Sequence, residues 1–478
     1  MHISSRREIS KLLNKYNYSA YKSILLFIFS FLVASLVAFV PEYHGMNEAS
    51  NWTLFILIFS AMLWVTEAIP AFTVSIFLIG LEIIILGQEN GVYAKGPNDW
   101  KIFLSPWASS LIFLFIGGFI LSLASSKTKI DIFIAKKVLN IAGTKPKNIL
   151  TGIIVVTFIF SMFISNTATT TMMLAVVIPI ISSIGHNNPF GKALLLGVAA
   201  AANIGGMGTI IGTPPNAIAV GTLGENAPSF LQWMFYAVPP AIIIMIIVWY
   251  LLLKIYPSIE DEINIDFIQN INNKKEKIIP FWHKNLVIFI FIFTILLWLT
   301  TSFHHLPVAV IAFLPIVVFT TTGIIDAEDF RSLPWDILFL ITGGLSLGLA
   351  VSNTGLATWF ANTMPLENLE ILTLVILFSF FVVLVSNFMS NTAATNILLP
   401  IVIAIVMGIT NNDDYLKNAI IIVALSASNA MLLSVSTPPN AIVYSSKKIN
   451  SKDFLFIGTI VGLIGPIIIT TWIWLIFK

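Results

Sequence analysis

Two closely related strings, SMFISNTATTTMML (Ser161–Leu174) and SNFMSNTAATNILL (Ser386–Leu399), lie in strongly apolar surroundings at matching places along the chain. Both carry Ser-Asn-Thr-Ala with another serine four residues ahead. A cluster of hydroxyl and amide side chains is costly inside a bilayer and is kept there for binding. Thr-Pro-Pro-Asn-Ala-Ile follows each Ser-Asn-Thr by about 47 residues, at Thr213–Ile218 and Thr437–Ile442. Duplicated halves with hydrophobic segments broken by Gly and Pro at equivalent positions point to a secondary transporter and its binding site.

The class follows from how little of the chain water can solvate. Hydrophobic residues make up 57% and charged residues 10%, with a mean hydropathy of +0.93, so an all-α polytopic membrane protein is expected. The longest polar run, Pro257 to Lys284, is too short for an attached sensor or kinase domain. The basic start (Arg6, Arg7, Lys11, Lys15, Lys22) and the apolar run from Ile24 to Val40 resemble a signal peptide, but the many following spans make this a retained first helix. The net charge of +2 sums over two membrane faces and says little about partners; no nucleic acid is expected. Zero cysteines exclude disulfides and thiolate metal sites.

Spans of about 20 mostly apolar residues are expected at Ile24–Val40, Trp52–Ile69, Phe72–Leu86 and Ser109–Ser125. A re-entrant hairpin, Asn148–Ser183, turns at Ser165-Asn166-Thr167; a broken helix, Ala193–Thr222, and Leu231–Ile255 complete the first half. The order repeats with Leu286–Leu299, Pro307–Thr322, Trp335–Val351, a hairpin over Leu369–Gly408, a broken helix over Ala419–Ser445 and Phe454–Phe477. This reading comprises eleven transmembrane helices and two re-entrant hairpins. Trp64 matches Trp298, Pro70 matches Pro307 and Gly117-Gly118 match Gly343-Gly344. Each copy crosses an odd number of times, so the halves form an inverted-topology repeat. Lysines and arginines cluster before the first helix, between Lys127 and Lys147, and at Lys447, Lys448 and Lys452, which puts the N-terminus in the cytoplasm and the C-terminus outside.

Neither lysine nor arginine occurs in the stretches that carry the motifs: Asn148–Gly191, Ala193–Leu253, Ser332–Tyr415 and Asn418–Ser446. An anion bound there is met by helix N-termini and co-bound cations instead. Free N–H groups at each hairpin tip, with the Asn amide and Thr hydroxyl, suit a carboxylate. Serine hydroxyls and unpaired carbonyls suit a hard monovalent cation such as sodium. The two prolines of each Thr-Pro-Pro are expected to remove N–H donors inside a crossing helix and so liberate carbonyls. Glu67 is expected to cap a helix end, Asp336 to start a helix, His304 and His305 to sit in a solvated loop, and the glycine pairs to let helices pack closely.

These residues, with TEAIP at Thr66–Pro70, resemble the divalent anion:sodium symporter (DASS) family over the chain from about Trp52 to its end. The resemblance implies an elevator-type homodimer, integral to a bacterial inner membrane, that imports dicarboxylates, citrate or sulfate. Its scaffold helices would lie at 52–143 and 285–363. The hairpin and broken helix of its transport domain would lie at 144–256 and 364–478, with 1–51 as N-terminal segment and first helix and 257–284 as cytoplasmic loop. At least two sodium ions are implied. Ser161, Ser165, Asn166 and Gly212 would hold one, and Ser386, the Met389 carbonyl, Asn391 and Ser436 the other. Asn166, Thr167, Asn391 and Thr392 would meet the substrate carboxylates, with Thr213, Thr437 and Pro438 closing the pocket.

Two facing anion-binding tips suit a C4-dicarboxylate such as succinate, malate or fumarate, carried by sodium symport. A sulfate or citrate symporter, or a dicarboxylate exchanger of the same fold, is the alternative within transport. An intramembrane hydrolase is the alternative outside it, but the chain has no His-Glu-x-x-His motif and no paired intramembrane aspartates.

Overall fold

The computed structural model describes residues 3–185, 188–264, 280–363, 370–410 and 412–476, all helix or connecting turn with no strand among them. Residues 265–279 of the expected cytoplasmic loop, the boundary at 364, the hairpin start at Leu369 and the final Phe477 lie outside the described residues. So do the side chains of Arg6, Arg7, Lys11 and Lys15.

In chain order the helices are α1 (Ile3–Phe39), α2 (Glu48–Thr66), α3 (Ala71–Leu81) with a π-helical continuation (Glu82–Gly87), α4 (Lys101–Leu104), α5 (Ser110–Thr128) and α6 (Ile130–Ala142). Then come α7 (Pro146–Phe163), α8 (Asn166–Ile184), α9 (Phe190–Gly206), α10 (Pro214–Leu223), α11 (Phe230–Ile255), α12 (Phe281–Leu299), α13 (Thr301–His304) and α14 (Val308–Thr321). The rest are α15 (Ala327–Arg331), α16 (Trp335–Asn353), α17 (Leu356–Thr363), α18 (Ile371–Ser386), α19 (Asn391–Ile409), α20 (Asp413–Ala427), α21 (Pro438–Ser445) and α22 (Ser451–Ile476). Ten helical segments among the described residues are long and apolar enough to cross a membrane, and shorter apolar helices join them. Leu25, Phe29, Leu36, Ile242, Ile246 and Phe289 lie exposed on these helices, the arrangement of side chains whose solvent is lipid.

The chain divides into two compact units. The first comprises Met1–Trp107, Asp336–Glu367 and Pro400–Asn411; the second comprises Ala108–Trp335, Asn368–Leu399 and Asn412–Lys478. In the first unit, α1 packs on α2 through edge-on rings: Phe27 on Phe59 at 5.3 Å and Phe31 on Phe55 at 5.6 Å. Glu67 ends α2 in the left-handed conformation (φ 51°) and Pro70 opens α3. The Trp64 indole ties the corner by donating to Ala71 O at 3.1 Å. In the second unit Pro307 opens α14 and the Trp298 indole donates to Val308 O at 3.0 Å, the same corner built from the repeat. His304 closes the intervening turn through Leu297 O at 2.9 Å, and Asp336 is an exposed residue in the first turn of α16.

The glycine pairs act as the repeat requires. A Cβ on Gly117 would lie 2.7 Å from the Ala312 Cβ, and one on Gly343 would lie 2.4 Å from the Ser75 Cβ. Ser75 and Ala312 are separated by 237 residues, as are Pro70 and Pro307, so the two crossings are matching contacts, each made by one helix from either repeat. Gly117→Ala is therefore expected to push α5 from α14 and to lower stability by about 1–3 kcal/mol. Gly348→Ala, where nothing lies within 4 Å of the added carbon, serves as the tolerated control. Thermal midpoints of the two purified variants in detergent check the difference.

Candidate functional site

Both repeated motifs lie in the second unit, and each makes a helix stop and restart. α7 ends at Phe163, Ile164 is extended, and Ser165 caps α8 by accepting from Ala168 N at 3.2 Å. The N–H groups of Asn166 and Thr167 open α8 with no carbonyl above them. The second tip repeats this: α18 ends at Ser386, Ser390 accepts from Ala393 N at 3.2 Å, and Asn391 and Thr392 open α19.

At the first tip three oxygens converge on one amide. Ser161 Oγ lies 2.7 Å from the Asn166 amide nitrogen, which also faces Ala202 O and Gly212 O at 3.3 Å each, the orientation its acceptor neighbours require. Ser161 Oγ donates to Ala202 O at 2.6 Å. The approach is close enough that a Cβ on Gly206 would lie 2.6 Å from the Asn166 amide, and one on Gly212 would lie 2.2 Å from Gly206 O. Ser161, Asn166 and Gly212 are thus brought together, with Ser165 adjacent in the chain. Thr213 is the buried N-cap of α10, and Gly212 O just before it lies 3.3 Å from the amide of Asn166, the first residue of α8, so the two helix starts are close together. Thr167 is exposed.

The second tip is built differently. Asn387, which sequence reasoning passed over, binds Val383 O through its nitrogen at 2.8 Å and accepts from Leu432 N at 2.8 Å and Ser436 Oγ at 3.1 Å. It holds the tip against the segment between α20 and α21. Ser386 Oγ and Asn391 Oδ1 are buried oxygens with no hydrogen-bond partner, and no hydrogen bond among the described residues joins them to Ser436. Met389 and Thr392 are buried, and Thr437 caps α21 by accepting from Asn440 N at 3.3 Å. Pro438 is exposed at the first position of α21.

The expected role of the Thr-Pro-Pro prolines needs correction. They occupy the first two positions of α10 and α21, where an N–H has no intrahelical partner in any case. They start new helices and free no carbonyls. The free carbonyls belong to the end of α9 and to the segments that link α9 to α10 and α20 to α21, and the asparagine of each motif satisfies them. The Asn216 nitrogen faces Thr209 O at 2.7 Å, Gly206 O at 3.1 Å and Met207 O at 3.3 Å. The Asn440 nitrogen faces Leu433 O at 2.9 Å and Met431 O at 3.0 Å. Asn203 on α9 then donates to Asn440 Oδ1 at 3.1 Å and joins the two halves of the unit. A lone Asn in an apolar stretch was the only sequence signal for Asn203 and Asn387.

A membrane unit with paired, pseudo-symmetric helix breaks and bare oxygens is that of a secondary transporter. The chain belongs to the family described as the sodium:sulfate symporter transmembrane region, which matches residues 21–477. The DASS resemblance is thereby confirmed, and the protein is a transporter and not a hydrolase. It is 30% identical to the sodium-dependent dicarboxylate transporter SdcS of Staphylococcus saprophyticus, over 91% of this chain and 88% of that one. SdcS of Staphylococcus aureus is also 30% identical, over 87% and 84%. An uncharacterized transporter of Haemophilus influenzae is 29% identical, over 94% and 95%. The YdaH transporter structure from Alcanivorax borkumensis aligns with a TM-score of 0.53 at 11% identity, over 78% of this chain and 87% of that one, a likeness of fold.

Asn216→Ala is expected to strand the carbonyls at the end of α9 and to cost about 1–3 kcal/mol. Asn216→Asp should do the same, because a carboxylate cannot donate. A lowered thermal midpoint for both, beside a near-normal Asn226→Ala on the exposed loop, is the measurement.

Proposed function

We propose that the protein is a sodium-coupled symporter importing a divalent organic anion, a C4-dicarboxylate such as succinate, malate or fumarate, with at least two sodium ions. The observation that carries this reading is the pairing, at each tip, of clustered oxygens with helix N-termini in stretches free of lysine and arginine, the oxygens being bare at the second tip. Sodium is a co-substrate in this scheme. At the first tip Ser161, Gly212 and Ala202 supply oxygens, and a half-turn of the Asn166 amide puts its oxygen where its nitrogen now sits. At the second, Ser386, Asn391, the Met389 carbonyl and Ser436 form the ligand set, with Ser165 supporting the first tip as a cap.

The substrate carboxylates meet the helix openings: Asn166 and Thr167 on one side, Asn391 and Thr392 on the other. Thr213, Thr437 and Pro438 line the approach. Helix dipoles and amides hold a dianion without a fixed positive charge, so release follows when sodium leaves. The names of the SdcS relatives support sodium and dicarboxylate over sulfate or citrate, and over exchange. The tips are proposed as re-entrant hairpins of an eleven-span inverted repeat, N-terminus cytoplasmic and C-terminus outside. Segments 144–256 and 364–478 would move as an elevator against scaffold helices 52–143 and 285–363 of a homodimer in a bacterial inner membrane.

Uptake of labelled succinate, citrate and sulfate into proteoliposomes tests the scheme directly. Succinate uptake should rise sigmoidally with sodium and fail in choline; hyperbolic dependence, or full uptake in choline, would sink it. Because each charge moved through 100 mV is worth about 2.3 kcal/mol, a dianion with two sodium ions should show little voltage response and three a clear one. Asn166→Ala and Asn391→Ala should each abolish uptake in protein that still inserts, since each loses an anion donor and a cation ligand. Thr392→Val should cost about 1 kcal/mol, about fivefold in apparent substrate affinity, with the sodium dependence little changed.

A further inference from the structure

Away from the helix breaks, the first unit holds a carboxyl group that the transport reading does not use. Glu82 stands in the apolar string FLIGLEIIILG and is fully buried, at 0% exposure. It starts the π-helical turn that follows α3, where Gln88 N reaches back five residues to Ile83 O at 2.9 Å. Such turns mark functional positions more often than ordinary helix does. Its Oε2 contacts Ser346 Oγ on α16, and its Oε1 has no partner among the described residues.

The elements packed around it bring no countercharge. α3 has no ionisable residue, and α2 has Glu48 in its first turn and Glu67 beyond its last. Lys101 of α4 is exposed and sits 5.9 Å over the Trp100 ring, and Asp336 of α16 is exposed. On the loop before α4, Glu89 and Lys95 are exposed, Asp99 accepts from Lys95 N and Gly96 N, and the Tyr93 ring rests on Phe103. None of them pairs with Glu82 among the described residues.

Counting protons decides the state of the group. Ser346 Oγ also lies 2.9 Å from Phe103 O, which can only accept. One serine hydroxyl has one proton and cannot donate to both neighbours. If it donates to Phe103 O, the contact with Glu82 is a hydrogen bond only when the carboxyl itself donates. The lone Oε1 agrees, because a neutral carbonyl oxygen tolerates burial without a partner far better than a carboxylate oxygen does. The repeat supplies the contrast. The positions matching Glu82 and Ser346 in the other half are Phe319 and Ile120, both fully buried, so packing at this place can be met by apolar side chains alone.

We propose that Glu82 is a proton-binding site: a neutral carboxylic acid whose O–H donates to Ser346 Oγ, which donates in turn to the Phe103 carbonyl, and whose proton stays bound through the transport cycle. The chain pins α16 and α4 to the π turn. Ser346 lies three residues from Gly343, on the face where α16 comes closest to Ser75 of α3.

The test is infrared difference spectroscopy of the full-length transporter in lipid bilayers at neutral pH, wild type minus Glu82→Gln. A carbonyl stretch of a protonated carboxyl, shifted in heavy water, should be present in the wild type and absent from the variant. Ser346→Ala should keep the band and move it to higher frequency, as the O–H loses its acceptor. That arm reads the same group should Glu82→Gln insert poorly. Positive carboxylate bands in the difference spectrum, or no protonated-carboxyl band at all, would overturn the proposal. Sodium-driven uptake by Glu82→Gln should stay near the wild-type rate, because the glutamine N–H can make the same bond to Ser346. Well-inserted Glu82→Gln without uptake would overturn the permanent proton and make the group a proton carrier.

Discussion

Every helix break in a bilayer leaves backbone carbonyls that water cannot reach, and the second unit depends on how these are met. The Asn216 and Asn440 side chains each gather carbonyls of the segment that follows a helix, α9 or α20, while sitting in the first turn of the next. One amide therefore does what a turn of helix would otherwise do. Without it these carbonyls would stay buried and unpaired, a cost that works against the breaks before α10 and α21. The same two amides thus fix both the break and the positive helix end that it exposes.

That solution shapes the chemistry of the site. A fixed lysine or arginine would hold a dianion tightly whether or not a cation were present, and coupling would be lost. Oxygens and helix ends are weak partners singly and strong ones together, so in the proposed scheme cation and anion support each other across the same short turn. The two tips reach this end by unlike means. At the first, Asn166 sits within its oxygens and satisfies them; at the second, Asn387 takes the tethering role and leaves Ser386 and Asn391 oxygens bare. A duplicated motif need not give duplicate sites.

Both units use small residues at the close crossing, and the first adds one acid where the second has apolar bulk. Gly343 against Ser75 and Gly117 against Ala312 are the same crossing made twice between the repeats, set by the absence of a side chain. Glu82 and Ser346 break the equivalence, since Phe319 and Ile120 fill the matching places. Polar pairing is worth having in a membrane when it fixes one register between helices that dispersion alone would let slide.

Hydropathy and repetition are local properties, and the sequence by itself determined what depends on them. The long apolar helices, the two breaks at Ser165 and Ser390, the matching of Trp64 with Trp298 and the close glycines are legible in the order of residues alone, as is the family; the amphipathic α6 is not. Contacts between residues far apart in the chain are not. That Ala202 O joins Ser161 and Asn166, that Asn203 reaches Asn440 across 237 residues, and that Asn387 rather than Ser386 grips Ser436 are consequences of folding. The prolines of Thr-Pro-Pro show the limit most plainly. A proline reads the same in a sequence whether it breaks a helix or begins one, and only the position of the preceding carbonyls, supplied by the tertiary structure, decides between them.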